Sequence, residues 1–184
     1  MSHSTATLVP VPIRPVHPSH PTAQVAALAV VLALAAVGCG GRGRAAPGED
    51  GRAQVVRVVD GDTIVVRLGG VEEKVRLLGI DTPESVDPRS PVQCFGKEAS
   101  AHTATLLPPG TEVRLVRDVE ARDRYSRLLA YVYRADDGAF VNLQLAQEGY
   151  ADVLTYPPNV AHADAITAAV AQARGARRGL WSAC

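Results

Sequence analysis

The sequence has little of what marks a protein built to hold a polyanion over its whole surface. Its 19 basic residues are balanced by 19 acidic ones, and aromatic residues make up only 4% of the chain. With a formal net charge of zero, no overall positive field attracts nucleic acid. This balance argues against a tight duplex binder, so any affinity for nucleic acid must come from a local cluster of cations.

The chain also has no apolar run that would span a bilayer comfortably. The run 25–37 consists only of Ala, Val and Leu, and its length fits the apolar core of a secretory signal. The small residues that follow, ahead of Cys39, resemble the bacterial lipoprotein signal, in which that cysteine is lipidated and becomes the mature N-terminus. The alternative is ordinary secretion with Cys39 unmodified. Either way we expect an exported protein, as an outward-facing membrane lipoprotein or in secreted form.

The length of 184 residues predicts one domain with a tail. We expect a signal peptide over residues 1–38, a tether over 39–52 and the domain over 53–184, because residues 40–51 are rich in glycine, as flexible linkers are. An exported chain meets an oxidising compartment. If Cys39 carries a lipid, Cys94 and Cys184 remain as a candidate disulfide. The alternative is two unpaired thiols, since the sequence does not show their separation.

From Gln54 onward the chain alternates between strand and helix signals, without an internal repeat. Runs rich in Val and Ile, or alternating between apolar and polar residues, predict strands at 54–59, 63–68, 71–80, 112–117 and 128–133. Regular strand–helix alternation, which a parallel doubly wound sheet requires, is missing. The pattern therefore predicts an α+β, mainly β fold, in which five antiparallel strands close into a small barrel with about three packed helices.

The helix signals have recognisable ends. Apolar spacing predicts a helix over 96–107, which Pro108 stops. Asn142 is expected to cap a short helix that ends at Gly149. A last helix is expected to end near Gly175, and Trp181 to pack the tail against the body.

Three short charged runs carry the chemistry. Residues 60–63 read Asp-Gly-Asp-Thr, residues 81–84 read Asp-Thr-Pro-Glu, and residues 123–127 read Asp-Arg-Tyr-Ser-Arg. Each run alone is typical of a turn or a strand exit. Arg76 is more unusual, because a guanidinium in an apolar strand demands an anionic partner. Together the runs offer carboxylates for a hard cation, another carboxylate for a water, and two arginines for a phosphate.

The order and spacing of these runs resemble the staphylococcal nuclease (thermonuclease) family. The similarity extends over residues 54–181, which is nearly the whole predicted domain. It implies an OB-fold barrel, calcium dependence and endonuclease action on DNA and RNA.

The resemblance also implies a calcium site. Asp62 and Asp81 would supply carboxylate ligands, and Thr82 would add its backbone carbonyl. Calcium takes oxygen ligands in flexible geometry, and so short a protein ligand set leaves room for water and a substrate oxygen. Asp60 matches the family motif too and is expected to steady the metal loop.

The catalytic roles follow from the same resemblance. Glu84 would hold or deprotonate the attacking water, while Arg76 and Arg127 would bracket the scissile phosphate. Guanidinium groups are planar, permanently charged and able to bind phosphate oxygens in pairs.

Substrate contacts are implied for Tyr125 and Tyr156, with Tyr125 lying against the bound nucleotide. Arg124 is either a further phosphate contact or a solvated surface arginine. Two positions depart from the family pattern. Ser126 stands where a glycine usually precedes the second arginine, and Leu154 replaces one tyrosine of a later pair, of which Tyr156 is the other member.

A non-catalytic nucleic-acid or protein-binding OB-fold lipoprotein is the alternative, because fold alone does not fix activity. The presence of all five key site residues favours the enzyme; these are Asp62, Arg76, Asp81, Glu84 and Arg127. The expected partners are a DNA or RNA substrate and, through a lipidated Cys39, a membrane; the protein is expected to be a monomer.

Overall fold

A barrel of five strands forms the body of the protein in the computed structural model, which describes residues 51–86 and 91–184. The barrel strands are β1 (Gly51–Asp60), β2 (Thr63–Leu68), β3 (Val71–Leu77), β5 (Glu112–Val116) and β6 (Leu128–Arg134). They close in the order β1-β2-β3-β6-β5. A separate two-stranded sheet pairs β4 (Gly79–Asp81) with β7 (Asp152–Leu154).

One helix lies between the barrel strands in sequence and the others follow the last barrel strand. They are α1 (Gly96–Leu106), α2 (Val141–Gln147), α3 (Ala163–Gly175) and the short α4 (Leu180–Ala183). The core joins the inner face of the barrel to α2 and α3, and Trp181 packs against it. The predicted fold class, a mainly β barrel with packed helices, is confirmed.

The barrel closes through one parallel pairing. All other neighbouring strands in it are antiparallel, but β3 and β6 run in the same direction with Val75 opposite Leu128. The long connection between these two strands, which contains α1 and β5, makes a parallel pairing possible. This closure places the end of β3 beside the start of β6.

The prediction of one continuous strand over 71–80 is wrong, because the structure has two strands there, β3 and β4. It breaks at Leu78, whose N–H donates to the carbonyl of Ala130 at 3.0 Å. Gly79 then takes φ 82°, a conformation that glycine adopts without strain. The break turns β4 out of the barrel and into a pairing with β7, while the segment after Asp81 stays against the turn between β1 and β2.

The predicted capping role of Asn142 is also wrong. Helix α2 begins after Phe140 with no side-chain cap, and Asn142 is fully buried inside its first turn. Its Oδ1 accepts the Val132 N–H at 2.9 Å and its Nδ2 donates to the Leu78 carbonyl at 2.8 Å. The side chain therefore ties the helix to β6 and to the corner between β3 and β4, which satisfies buried backbone groups.

Several predictions for the N-terminal part fall outside the described residues. These are the signal peptide, Cys39 and the tether up to residue 50, so export, lipidation and membrane anchoring stay predictions. Gly51 and Arg52, assigned to the tether, belong to β1. Among the helices of residues 51–86 and 91–184, none has the length and apolar character needed to cross a membrane.

Candidate active site

The turn between β1 and β2 holds the first acidic run. Asp62 is buried, and its Oδ2 accepts the Thr82 N–H at 3.0 Å. A Cβ added at Gly61 would lie 2.6 Å from Thr82 Oγ1, so only glycine lets the turn approach the exit of β4 this closely. The two acidic runs, about 20 residues apart in sequence, are thereby brought into contact.

Arg76 joins these two runs. Its Nη1 lies 3.1 Å from Asp62 Oδ2, and its Nη2 donates to Asp81 Oδ1 at 2.8 Å. Nη1 also donates to the carbonyls of Leu77 and Ile80 at 3.0 and 2.8 Å. This buried guanidinium therefore has anionic partners and a fixed orientation. Burial raises the pKa of Asp81, although the charge of Arg76 opposes the shift.

Asp60 lies beneath the loop that carries Glu84. Its Oδ1 accepts the Gly61 N–H at 2.9 Å and the Ser85 Oγ hydroxyl at 2.6 Å. Burial raises the pKa of Asp60 to about 6, and the neighbouring Glu84 adds to the rise while Ser85 opposes it. Asp60 thus anchors Ser85 and places a second carboxyl group beside Glu84.

The backbone of Glu84 is held by the segment that precedes α1. Gln93 accepts the Glu84 N–H through Oε1 at 3.0 Å and donates its own N–H to the Glu84 carbonyl at 2.9 Å. A Cβ at Gly96 would lie 2.6 Å from that carbonyl, so the start of the helix packs directly on it. The next residue after Gln93, Cys94, is joined to Cys184 by a disulfide, which links this segment to the C-terminus.

Arg127 is oriented by its own turn. Its Nε donates to Asp123 Oδ2 at 2.7 Å, and its backbone N–H donates to Asp123 Oδ1 at 3.0 Å. Burial alone would raise the pKa of Asp123, but the hydrogen bonds and charge of Arg127 outweigh it and hold that pKa below its ordinary value. Ser126 takes φ 63°, a left-handed conformation that favours glycine. The departure from the family pattern therefore falls on a strained residue, yet the turn is kept.

One cavity of about 420 Å³ collects the charged groups. Its charged lining residues are Asp60, Asp62, Asp81 and Glu84 with Lys74, Arg76 and Arg127. Thr82 lines the same space. The cavity thus brings together every residue to which the sequence assigned metal binding or catalysis, drawn from three separate stretches of the chain.

The residues expected to contact substrate lie outside this lining. Tyr125 is 63% exposed, and its ring centre lies 5.5 Å from the Arg127 guanidinium carbon. Arg124 donates to the Tyr125 hydroxyl at 2.7 Å. Tyr156, 40% exposed, sits in a turn with Asn159. Tyr125 and Arg124 therefore border the cavity through Arg127, whereas Tyr156 lines a separate, smaller pocket that also borders Arg76.

Sequence reasoning missed three polar residues that line the cavity, namely Lys74, Thr63 and Gln93. Lys74 could have been found, because it precedes Arg76 by two residues on a strand and so shares its face. The Thr63 hydroxyl donates to Asp62 Oδ1 at 2.9 Å. Gln93 gave no signal, because its contact with Glu84 joins residues nine positions apart that no local pattern pairs.

Comparison with known proteins identifies the family to which the chain belongs. The family described as staphylococcal nuclease homologue matches residues 74–183. The thermonuclease of Staphylococcus hyicus is 43% identical over 129 residues, which cover 70% of this chain and 75% of that protein. The thermonuclease of Staphylococcus intermedius is 44% identical, with 69% and 74% covered. Endonuclease YncB of Bacillus subtilis (strain 168) is 40% identical over 128 residues, with 68% and 59% covered. The chain therefore belongs to the staphylococcal nuclease family.

Proposed function

We propose that the protein is a calcium-dependent endonuclease that cleaves DNA and RNA. Its family membership makes it a nuclease that hydrolyses phosphodiester bonds. The observation that carries the finer proposal is the shared cavity, in which an acidic pair, a further carboxylate and two guanidinium groups meet. Such a set serves charge stabilisation and water activation at one phosphorus centre.

The residues present fit a calcium ion. Asp62 and Asp81 both face the cavity, and the Thr82 carbonyl belongs to the segment that contacts Asp62. The proposed set has only two such side chains, and residues 51–86 and 91–184 contain no group of three or more His, Cys, Asp or Glu side chains that could hold a metal. Two carboxylates and a carbonyl are hard oxygen donors. The remaining coordination positions would be filled by water and substrate, which calcium tolerates. When bound, the ion would act as a Lewis acid toward the phosphate oxygens.

Glu84 is proposed to activate the attacking water. It lines the cavity beside the acidic pair, and its Oε1 accepts the Val86 N–H at 2.9 Å. The backbone contacts with Gln93 hold the carboxylate on a fixed support, which a general base requires. Asp60 keeps a carboxyl group close to Glu84, which disfavours a second negative charge there and supports proton uptake by the pair.

The two arginines are proposed to stabilise the charge that develops on the phosphate. Arg76 has both terminal nitrogens bound by Asp62, Asp81 and two carbonyls, so it positions the acidic pair while its positive charge faces the cavity. Within residues 51–86 and 91–184, the Arg127 side chain donates a hydrogen bond only from its Nε, to Asp123. Donors placed where charge grows during the reaction lower the barrier more than they help ground-state binding.

The alternative is a non-catalytic binding module on the same barrel. It would keep a cationic groove for nucleic acid without needing a carboxylate beside the phosphate. The presence of Glu84 and of both members of the acidic pair in the cavity favours the enzyme over this alternative.

Incubation of the purified protein with supercoiled plasmid and with RNA tests the proposal. A covalently closed plasmid has no ends, so its conversion to nicked and linear forms reports endonuclease action alone. We expect cleavage of both substrates with calcium, loss of cleavage with the calcium chelator EGTA, and recovery when calcium is added back. Equal cleavage in EGTA would contradict calcium dependence, and retention of nucleic acid without any cleavage would favour the binding module.

A further inference from the structure

Lys74 lines the catalytic cavity but has no part in the proposed chemistry. It stands two residues before Arg76 on β3, where successive side chains alternate between the two faces. Val75 and Leu77 are buried in the barrel core, so Lys74 and Arg76 share the opposite face. Lys74 is exposed, whereas Arg76 is buried. The strand therefore presents one fixed and one accessible cation along the same side of the cavity.

The parallel pairing of β3 with β6 brings Lys74 near the second arginine. Val75 is opposite Leu128 and Arg76 is opposite Leu129. Continuing that register by one residue sets Lys74 beside Arg127. The cavity consequently has a cationic rim that begins at the two arginines and extends along β3 to Lys74.

The ammonium of Lys74 has no ion-pair or hydrogen-bond partner among the described residues. The two carboxylates next to it on β3 are already paired. Glu72 contacts Arg57 and Arg67, both at 3.5 Å, and Glu73 forms a two-bond pair with Arg122 at 2.8 and 3.0 Å. Lys74 thus remains available to an anionic ligand.

We propose that Lys74 binds the phosphate next to the scissile one, so that the enzyme favours polynucleotides over substrates with a single phosphodiester. This inference rests on the proposed nuclease function. Side chains two residues apart on a strand are separated by about 6.6 Å, which is comparable to the spacing of successive phosphates along a nucleic-acid strand. A lysine acts as a compact, hydrated point charge, which suits a phosphate that is held at the rim without being activated.

A contact of this kind contributes equally before and during the reaction. Uniform binding of that sort changes KM and leaves kcat unchanged. A phosphate neutralised by one cation also releases counterions, so its loss lowers the salt dependence of binding.

The test compares Lys74→Ala with wild type on two substrates, a 12-residue deoxythymidine oligonucleotide and thymidine 5′-(p-nitrophenyl phosphate), which has one phosphodiester. Lys97, the other lysine of the chain, is exposed on α1 and does not line this cavity, so Lys97→Ala is the matched control.

For Lys74→Ala we expect KM for the oligonucleotide to rise about 3- to 10-fold, kcat to stay within about twofold, and the slope of log KM against log salt to fall by about 0.7. KM for the single phosphodiester stays the same, and Lys74→Arg restores oligonucleotide KM.

Three results would overturn the inference. One is an unchanged oligonucleotide KM in Lys74→Ala; another is an equal increase in Lys97→Ala. The third is a fall in kcat on both substrates, which would place Lys74 at the scissile phosphate. If wild type with calcium cleaves neither substrate, the proposed function itself fails, a result distinct from these three.

Discussion

Replacing Arg127 by lysine is expected to lower kcat by about 100- to 1,000-fold, the cost typical of removing one well-placed donor to a developing anion. In the structure the Arg127 Nε is bound to Asp123 at 2.7 Å, and its two terminal nitrogens have no hydrogen-bond or ion-pair partner in residues 51–86 and 91–184. Those nitrogens can therefore grip two phosphate oxygens at once. Lysine keeps the positive charge but offers one nitrogen and loses the bond that orients the group.

Two further variants separate geometry from charge. Arg134→Lys is the matched control, because Arg134 is similarly buried and paired with Asp137 but does not line the cavity; its kcat should stay near that of wild type. Asp123→Asn keeps the guanidinium and weakens its support, so kcat should fall to an intermediate value. Steady-state kinetics on the plasmid or oligonucleotide measure all three. Near wild-type kcat in Arg127→Lys would remove Arg127 from the chemistry.

Replacing Glu84 by glutamine is expected to lower kcat by about 100- to 10,000-fold, the range of positioned acid–base groups, with little change in nucleotide affinity. Glutamine has the same shape and can still accept the Val86 N–H that Glu84 Oε1 now accepts at 2.9 Å. The loop should therefore remain in place while the group that takes up a proton is lost.

The measurement pairs single-turnover rates with binding of a mononucleotide. Glu98→Gln serves as the control, because Glu98 is an exposed carboxylate in the first turn of α1 and lies outside the cavity. Its rate should match wild type. If affinity in Glu84→Gln falls as steeply as the rate, Glu84 is a binding or scaffold group and the assignment is wrong.

The local pattern of the sequence was enough to predict most of the barrel. Period-two alternation around Val75 and Leu77 marks a half-buried strand, and an arginine in such a strand needs an anion, which Asp62 and Asp81 supply. These are effects of neighbouring residues, which a sequence displays directly.

Features that depend on distant contacts were not predictable in this way. The break at Leu78 is fixed by a hydrogen bond to Ala130, and the position of Asn142 by bonds to Leu78 and Val132. An asparagine near a helix start favours a cap by propensity, but here buried backbone groups of other strands compete for its amide. The hydrogen bonds that Asn142 makes to these buried backbone groups outweighed its local preference for a helix cap.

The sequence predicted the metal-binding and catalytic residues of the site but missed a residue at the rim of the cavity. The resemblance supplied the acidic pair, Glu84 and the arginines, all of which line one cavity. Lys74 was missed because no family motif includes it. Its spacing from Arg76 indicates a shared face, but its position beside Arg127 follows from the register of β3 against β6, which no local pattern encodes.

The most direct test of the account is the calcium concentration that gives half-maximal cleavage, measured for wild type and Asp81→Asn. Asp164→Asn is the control, since Asp164 is an exposed carboxylate in the first turn of α3 and lies outside the cavity. If the acidic pair holds the ion, Asp81→Asn should need at least about tenfold more calcium, the loss expected on disturbing a metal site, while Asp164→Asn needs the same as wild type. An unchanged calcium requirement in Asp81→Asn, at normal folding, would contradict the proposal that this cavity is the catalytic centre.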